Sequence, residues 1–356
     1  MSRRGFAEWL LVAGSTLFLY PLSFALRRAF GLDATELAVG FLTFHAAYVV
    51  NDPHFCVTYL LFYRDARARL AGPQRVRWAL AGIALPAVLV LWAAFALATS
   101  GAQTLGWMVQ LMFLLVGWHY AKQGFGVLTV LSARRGVTYT ARERFVLLAH
   151  AYLGWAFAWA NPSIPAGEFE EKGVVYWAPP HPRWFELLTG SLLLASTLAV
   201  AGVLVARRVR GGKIAVGPLS AFLVTLWAWT IFSSLDPLVR YLIPALHSVQ
   251  YLYFVWLLRR NEAAAEEGPP TFGRPARVRV GLLAAGGLAL GFFLLRFAPS
   301  LLDAALVPRP RRGQMPGPMG ETPFFAAFYV VVNLHHYAMD AVIWRRDNPE
   351  TRWLRA

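Results

Sequence analysis

The chain has 356 residues, 57% of them hydrophobic and 15% aromatic against 15% charged, with a mean hydropathy of +0.47. That composition lies outside the range of soluble globular domains. The net charge of +15 would suit nucleic acid, but the arginines punctuate apolar runs instead of gathering into one basic face, so no nucleic-acid partner is expected and the bilayer is.

Runs of about 20 apolar residues, enough to cross roughly 30 Å of hydrocarbon, occur near 6–26, 34–62, 78–99, 105–131, 145–160, 184–206, 215–235, 238–258, 280–298 and 323–344. The expected fold is an all-α polytopic transmembrane bundle of about ten spans, a single integral membrane domain over residues 1–356. The first run follows Ser2-Arg3-Arg4, lacks a small-x-small cleavage pattern and ends in Arg27-Arg28, so it reads as an anchor and not a removed signal. With the N-terminus inside, the inside segments hold 24 of the 34 Lys and Arg, which places both termini in the cytoplasm of a plasma or bacterial-type inner membrane. Arg309, Arg311 and Arg312, in a long outside loop, are the main exceptions.

The second run, 34–62, carries His45, Asp52, His54 and the only cysteine, Cys56, which leaves no intrachain disulfide and no Cys-based zinc cluster. The fourth holds His119 with Lys122 and Gln123 three and four residues on. The fifth holds His150. The outside loop 161–183 then brings Glu168, Glu170, Glu171 and His181 among prolines and aromatics; the loop 299–322 is Pro/Gly/Arg-rich and expected to be irregular, and either loop is placed to lie over an outer mouth. His247, Gln250 and Tyr251 follow in the eighth run, Arg296 in the ninth, and Asn333, His335, His336 and Asp340 in the tenth. The stretch 261–279 reads as a linker without a phosphate-cradling motif. Trp78, Trp184, Trp344 and Trp353 stand at run ends as interface anchors, and Lys122 is placed to snorkel.

Ionisable side chains inside a bilayer are costly and mark functional sites. Counted from each outer end at 1.5 Å per residue, His45, His119, His150, His247 and His335 all fall roughly 14–21 Å deep, one layer near the midplane, with His54 deeper. A shared metal ion is the expected reason, held by His45, His119, His247 and His336, with His335 the alternate in its pair. For His54 and His150 a hydrogen-bonded interior role ranks ahead of a ligand role, and His181 reads as a loop residue. Metal-bound imidazoles give their second N–H to a carboxylate or carbonyl, and Asp340, Asp52, Gln250 and Asn333 are available. Asp52 and Asp340 also suit helix kinks or a proton path. Imidazole suits Zn, Fe and Cu, and non-haem iron with open positions is the usual choice for oxygen chemistry.

Leu246-His247-Ser248-Val249-Gln250-Tyr251 running to Trp256, Asn333-Leu334-His335-His336 through Asp340 to Trp344-Arg345, Trp118-His119-Tyr120, and Phe44-His45-Ala46-Ala47 or Pro53-His54-Phe55 are similar in order and neighbourhood to motifs of the Brp/Blh-type membrane β-carotene dioxygenases. The resemblance rests on four short motifs spread over most of the chain. It departs where Tyr251 stands in place of the second histidine of an i, i+4 pair, and where neither opening motif has an aspartate four residues on. It implies a membrane-embedded oxygenase with histidine-ligated non-haem Fe(II), using O2 on a lipid-soluble carotenoid, isoprenoid or lipid substrate. Asp340 is then expected to orient a ligand, Tyr251 and Gln250 to face the reacting centre, and Trp118, Tyr120, Phe125 and Phe254 to wall the substrate. The alternatives are a two-iron lipid desaturase or hydroxylase, disfavoured by singly scattered histidines, a haem-binding membrane protein with two axial histidines, and a proton-coupled transporter using Asp52, Lys122, Asp340 and the histidines.

Overall fold

The computed structural model describes residues 3–161, 166–308 and 317–354. Arg309, Arg311 and Arg312 lie outside them. The chain is almost entirely helical: α1 (Gly5–Phe30), α2 (Leu32–Ala47), α3 (Asn51–Tyr63), α4 (Arg75–Ala98), α5 (Ala102–Arg134), α6 (Ala141–Ala160), α7 (Arg183–Val209), α8 (Val216–Ile231), α9 (Pro237–Glu267), α10 (Ala276–Leu306) and α11 (Pro323–Ile343). Short helical turns at Ala66–Ala71 and Pro349–Leu354 complete the helices.

Five helices, α1, α4, α7, α9 and α10, are long and apolar enough to cross a membrane. Three of them are peripheral. The most apolar windows of α4, α7 and α10 are only 22%, 22% and 17% buried, whereas that of α9 is 50% buried. Their bare faces carry large apolar side chains such as Leu91, Leu194, Leu198 and Leu282, the pattern of a surface solvated by lipid. The central helices α5 and α11 carry a weaker membrane signal because they hold the interior polar groups: His119, Lys122 and Gln123 on one, His335, His336 and Asp340 on the other.

The run 34–62 is not one helix. α2 ends at Ala47, and the N–H groups of Tyr48 and Val49 turn back to the carbonyls of His45 and Ala46 at 3.2 Å each. α3 then starts afresh at Asn51. Its third residue, Pro53, has no N–H to give, and the first turn of a helix leaves that group unbonded anyway. His45 and His54 therefore stand on different helices.

The connection 161–183 contains a hairpin. Gly167–Glu171 (β1) pairs antiparallel with Val174–Ala178 (β2) through a turn at Lys172 and Gly173, whose φ values of 53° and 85° are those of a type I′ hairpin. Val174 and Tyr176 point inward onto α5. Gly106 makes the contact feasible, since a Cβ there would lie 2.3 Å from that of Tyr176. Trp177 is pinned by Gln103, whose Oε1 accepts its N–H at 2.9 Å and whose Nε2 donates to its carbonyl at 3.0 Å.

The opposite end of the bundle is tied by charge. Arg64, at the end of α3, bridges Glu262 of α9 at 3.1 Å and Glu350 of the last turn at 3.0 Å, while Arg69 and Arg259 reinforce Glu350 and Glu262. At the hairpin end, Asp236 caps α9 by accepting the N–H groups of Leu238 and Val239 at 3.0 and 3.1 Å. The same carboxylate accepts Ser23 at 2.8 Å and Arg27 at 2.9 Å, which locks α1 to α9. Asp236→Ala should cost about 1–2 kcal/mol from the lost cap, read as a lower Tm in detergent. Arg27→Ala, which removes a part-exposed ion pair, should cost under about 1 kcal/mol. Equal losses would mean that the pair, and not the cap, holds the joint.

Candidate metal centre

Four helices each send one imidazole to a common point: His54 from α3, His119 from α5, His247 from α9 and His336 from α11. One ligating atom from each lies within 4.8 Å of the others, and all four residues are buried. The rings form a closed circuit. Centroids are 5.0 Å apart for His54–His247, 4.8 Å for His247–His119, 5.0 Å for His119–His336 and 4.4 Å for His336–His54.

Their nitrogens are badly served by the protein alone. His54 Nε2, His247 Nδ1 and both nitrogens of His336 are buried without a hydrogen-bond partner. His119 Nε2 and His247 Nε2 face each other at 3.1 Å. Native buried polar atoms are almost always paired, and metal ligation is the chemistry that uses several imidazole lone pairs aimed at one point. Ligand atoms around an ion with bonds of about 2.1 Å lie roughly 3–4 Å apart, so a spacing within 4.8 Å needs only a small contraction. The group can hold a metal ion.

Neighbouring side chains fix the rings. Asp340, one turn beyond His336, puts Oδ2 3.4 Å from His336 Nε2 and 3.7 Å from His119 Nε2. Its other oxygen accepts from the Tyr251 hydroxyl at 2.8 Å and the Trp344 indole at 3.1 Å. Tyr251 is shared with Thr58 at 2.6 Å. Ser248 meets His54 Nδ1 at 3.2 Å, leaving His54 Nε2 to point at the centre. Gln123 donates to the His247 carbonyl at 3.3 Å. Tyr120 and Tyr337 lay their rings against His247 and His119 at 4.3 and 4.8 Å.

Of the expected ligands, the structure brings together His119, His247 and His336, and leaves His45 and His335 apart. His45 is exposed on α2 and packs only on rings of its own helix and turn, Phe41, Phe44 and Tyr48. His54, on the helix that begins after the break, takes the fourth position. His335 is a satisfied interior residue: its Nε2–H donates to the Ala81 carbonyl at 3.0 Å, so Nδ1 accepts from the Tyr59 hydroxyl at 3.0 Å. His150 bonds Ser196 at 2.9 Å and ties α6 to α7.

Asp340 lies 3.4 Å from His336 Nε2 and 3.7 Å from His119 Nε2 without a hydrogen bond to either ring, beside the same His119 nitrogen that faces His247. Tyr251 touches the centre through the faces of His54 and His336, 4.6 and 5.5 Å away, while its hydroxyl serves Asp340. Gln250 turns the other way, to Gln123, Thr225 and the Val12 carbonyl, where it joins α1, α5 and α8 to α9. Asp52 pairs with Arg296, and Asn333 accepts from the Tyr337 hydroxyl at 3.2 Å.

A cavity of about 820 Å³ runs from the hairpin, at Phe169 and Tyr176, to a floor that includes His54 and His247. Tyr120, Trp155 and Tyr337 line its walls. A second, apolar pocket of about 420 Å³, lined by Trp118, Leu115 and Leu334, shares Trp155 and Tyr337 with the first. Phe125 and Phe254 belong to packed core and line neither. Comparisons with protein-family models, curated proteins and solved structures give no match to the chain.

Purified protein should carry about one metal ion per chain. Alanine at His54, His119, His247 or His336 should each reduce occupancy to a small fraction, while His45→Ala and His335→Ala should leave it intact. Asp340→Asn should weaken affinity by roughly 10–100-fold. Elemental analysis of the six alanine variants decides the ligand set, and equal loss in His45→Ala and His54→Ala would overturn it.

Proposed function

We propose that the chain is a membrane-embedded oxygenase that holds non-haem Fe(II) on His54, His119, His247 and His336 and oxidises a lipid-soluble substrate of the carotenoid or wider isoprenoid class. The observation that carries this reading is the position of the four-histidine group at the floor of an aromatic cavity. A purely structural metal is normally enclosed on all sides; two of these four residues line open space. Iron held by these four imidazoles would supply the one-electron chemistry with O2 that protein side chains lack.

The protein's own groups have definable tasks. Ser248 hydrogen-bonds His54 Nδ1 and would keep that ring in place through turnover, with Asp340 lying beside His336 and His119. Tyr120 and Tyr337 cover His247 and His119 with apolar faces and keep water from the imidazoles. Trp155 and Phe169 offer flat walls to a long unsaturated chain, and the hairpin closes the cavity at its far end.

In the topology that goes with this reading there are about ten spans and both termini lie in the cytoplasm of a bacterial-type inner or plasma membrane, as the arginine distribution favours. The haem alternative is weaker, because a porphyrin would have to pass between imidazoles whose centroids are 4.4–5.0 Å apart. A proton-coupled transporter is also weaker: Asp52 is engaged by Arg296, Asp340 by Tyr251 and Trp344, and Lys122 lies over Trp118 at 4.7 Å.

Reconstitution of the metal-free protein with Fe(II) under argon, followed by air and β-carotene or an isoprenoid alcohol, should give O2 uptake with an oxygenated product by mass spectrometry. His336→Ala should lower the rate by at least about 100-fold, beyond the loss typical of an outer-sphere change. Iron-loaded wild type that consumes no O2 with either substrate, or a Soret band in the purified protein, sinks the reading.

A further inference from the structure

The cavity wall contains a charged pair that the metal centre does not use. Arg296 of α10 and Asp52 of α3 meet at 3.0 Å through Nε and Oδ2, with side chains only 16% and 7% exposed. Charges so placed within apolar helices are rare and mark function. Arg296 stands in a π-helical segment, Phe293–Phe297, a local rearrangement frequent at functional sites. α10 reaches α3 through Gly291, where a Cβ would fall 2.9 Å from the Asp52 carbonyl carbon. The guanidinium is clamped by aromatic faces, 4.0 Å over Tyr48 and 5.4 and 5.7 Å from Phe44 and Phe325.

The pair is held but not saturated. The single hydrogen bond of Arg296 among the described residues uses Nε, which leaves both terminal amino groups without an acceptor, and Asp52 Oδ1 has no donor. Asn51 Oδ1 is buried and equally unpartnered. All three side chains line the same cavity as His54 and His247. Asn51 precedes His54 by three residues, so both lie on one face of α3.

We propose that Asn51, Asp52 and Arg296 form a hydroxyl-recognition subsite, and that the substrate is a long-chain isoprenoid alcohol. This deepens the oxygenase reading and rests on it for the fate of the bound molecule. A hydroxyl donates to Asp52 Oδ1 or Asn51 Oδ1 and accepts from an Arg296 amino group, satisfying atoms on both sides of the pair. A carboxylate gains Arg296 but meets the Asp52 carboxylate. A hydrocarbon leaves every one of these atoms unserved, and sites built to hydrogen-bond a hydroxyl strongly reject analogues without it.

The test is binding of tritiated geranylgeraniol to the full-length protein in nanodiscs, in competition with the matching C20 hydrocarbon and the matching C20 carboxylic acid. Wild type should prefer the alcohol at least tenfold over either. The double variant Asp52→Leu with Arg296→Met, in which an apolar pair replaces the ionic one, should bring all three within about twofold while keeping the metal. Should that variant fail to fold, Asn51→Leu, which spares the ion pair, should cut the preference about threefold or more. Equal binding of hydrocarbon and alcohol to wild type, no binding of any of the three, or an undiminished preference in a folded variant overturns the proposal. Because binding is read in the absence of O2, loss of the oxygenase activity alone leaves this outcome separately readable.

Discussion

The structure depends on one constraint: buried imidazole nitrogens must have partners. Four unpartnered nitrogens on His54, His247 and His336, at about 1–3 kcal/mol each, sum to about 4–12 kcal/mol, comparable with the entire net stability of a folded domain, about 5–15 kcal/mol. No chain carries that burden without return. A cation held there would take at most one nitrogen from each ring, three of these four, and would tie α3, α5, α9 and α11 together. Asp340 stands near two of the rings, Ser248 holds a third, and Tyr251 with Thr58 and Trp344 holds Asp340.

Much of this was legible in the sequence. Eight of the ten apolar runs coincide with continuous helices, because burial in lipid or in a bundle both demand apolar length; the exceptions are 34–62 and 6–26, which kinks at Ala13. His119, His247 and His336 were legible through their polar neighbours three and four residues away, since those spacings place groups on one helix face. His336 rather than His335 was legible in principle as well: Asp340 shares a face with the former and not with the latter. The hairpin was less so, because Phe169, Val174 and Tyr176 alternate over strands of only five residues.

The exchange of His54 for His45 has a different origin. Depth was counted along 34–62 as though it were one continuous helix, and a uniform rise of 1.5 Å per residue has meaning only while the helix lasts. Asn51-Asp52-Pro53 is a helix-start signature, and recognising it breaks the count at Val50. Gln250 failed for another reason: adjacent residues on a helix point about 100° apart, so Gln250 and Tyr251 could not both face the centre. The hydroxyl of Tyr251 reaches Asp340, and Gln250 is turned toward α1 and α8.

The polar groups around the centre are distributed unequally, and the inequality gives the site a direction. On the side away from the hairpin, Asp340, Tyr251, Thr58 and Trp344 satisfy one another in a buried network that lines no part of the large cavity. On the hairpin side, Asp52, Arg296 and Asn51 keep donor and acceptor atoms open to that cavity. A fully satisfied network rigidifies. The imidazoles lie between the two: His54 and His247 face the cavity with Ser248 beside them, while His119 and His336 have Asp340 next to them on the closed side.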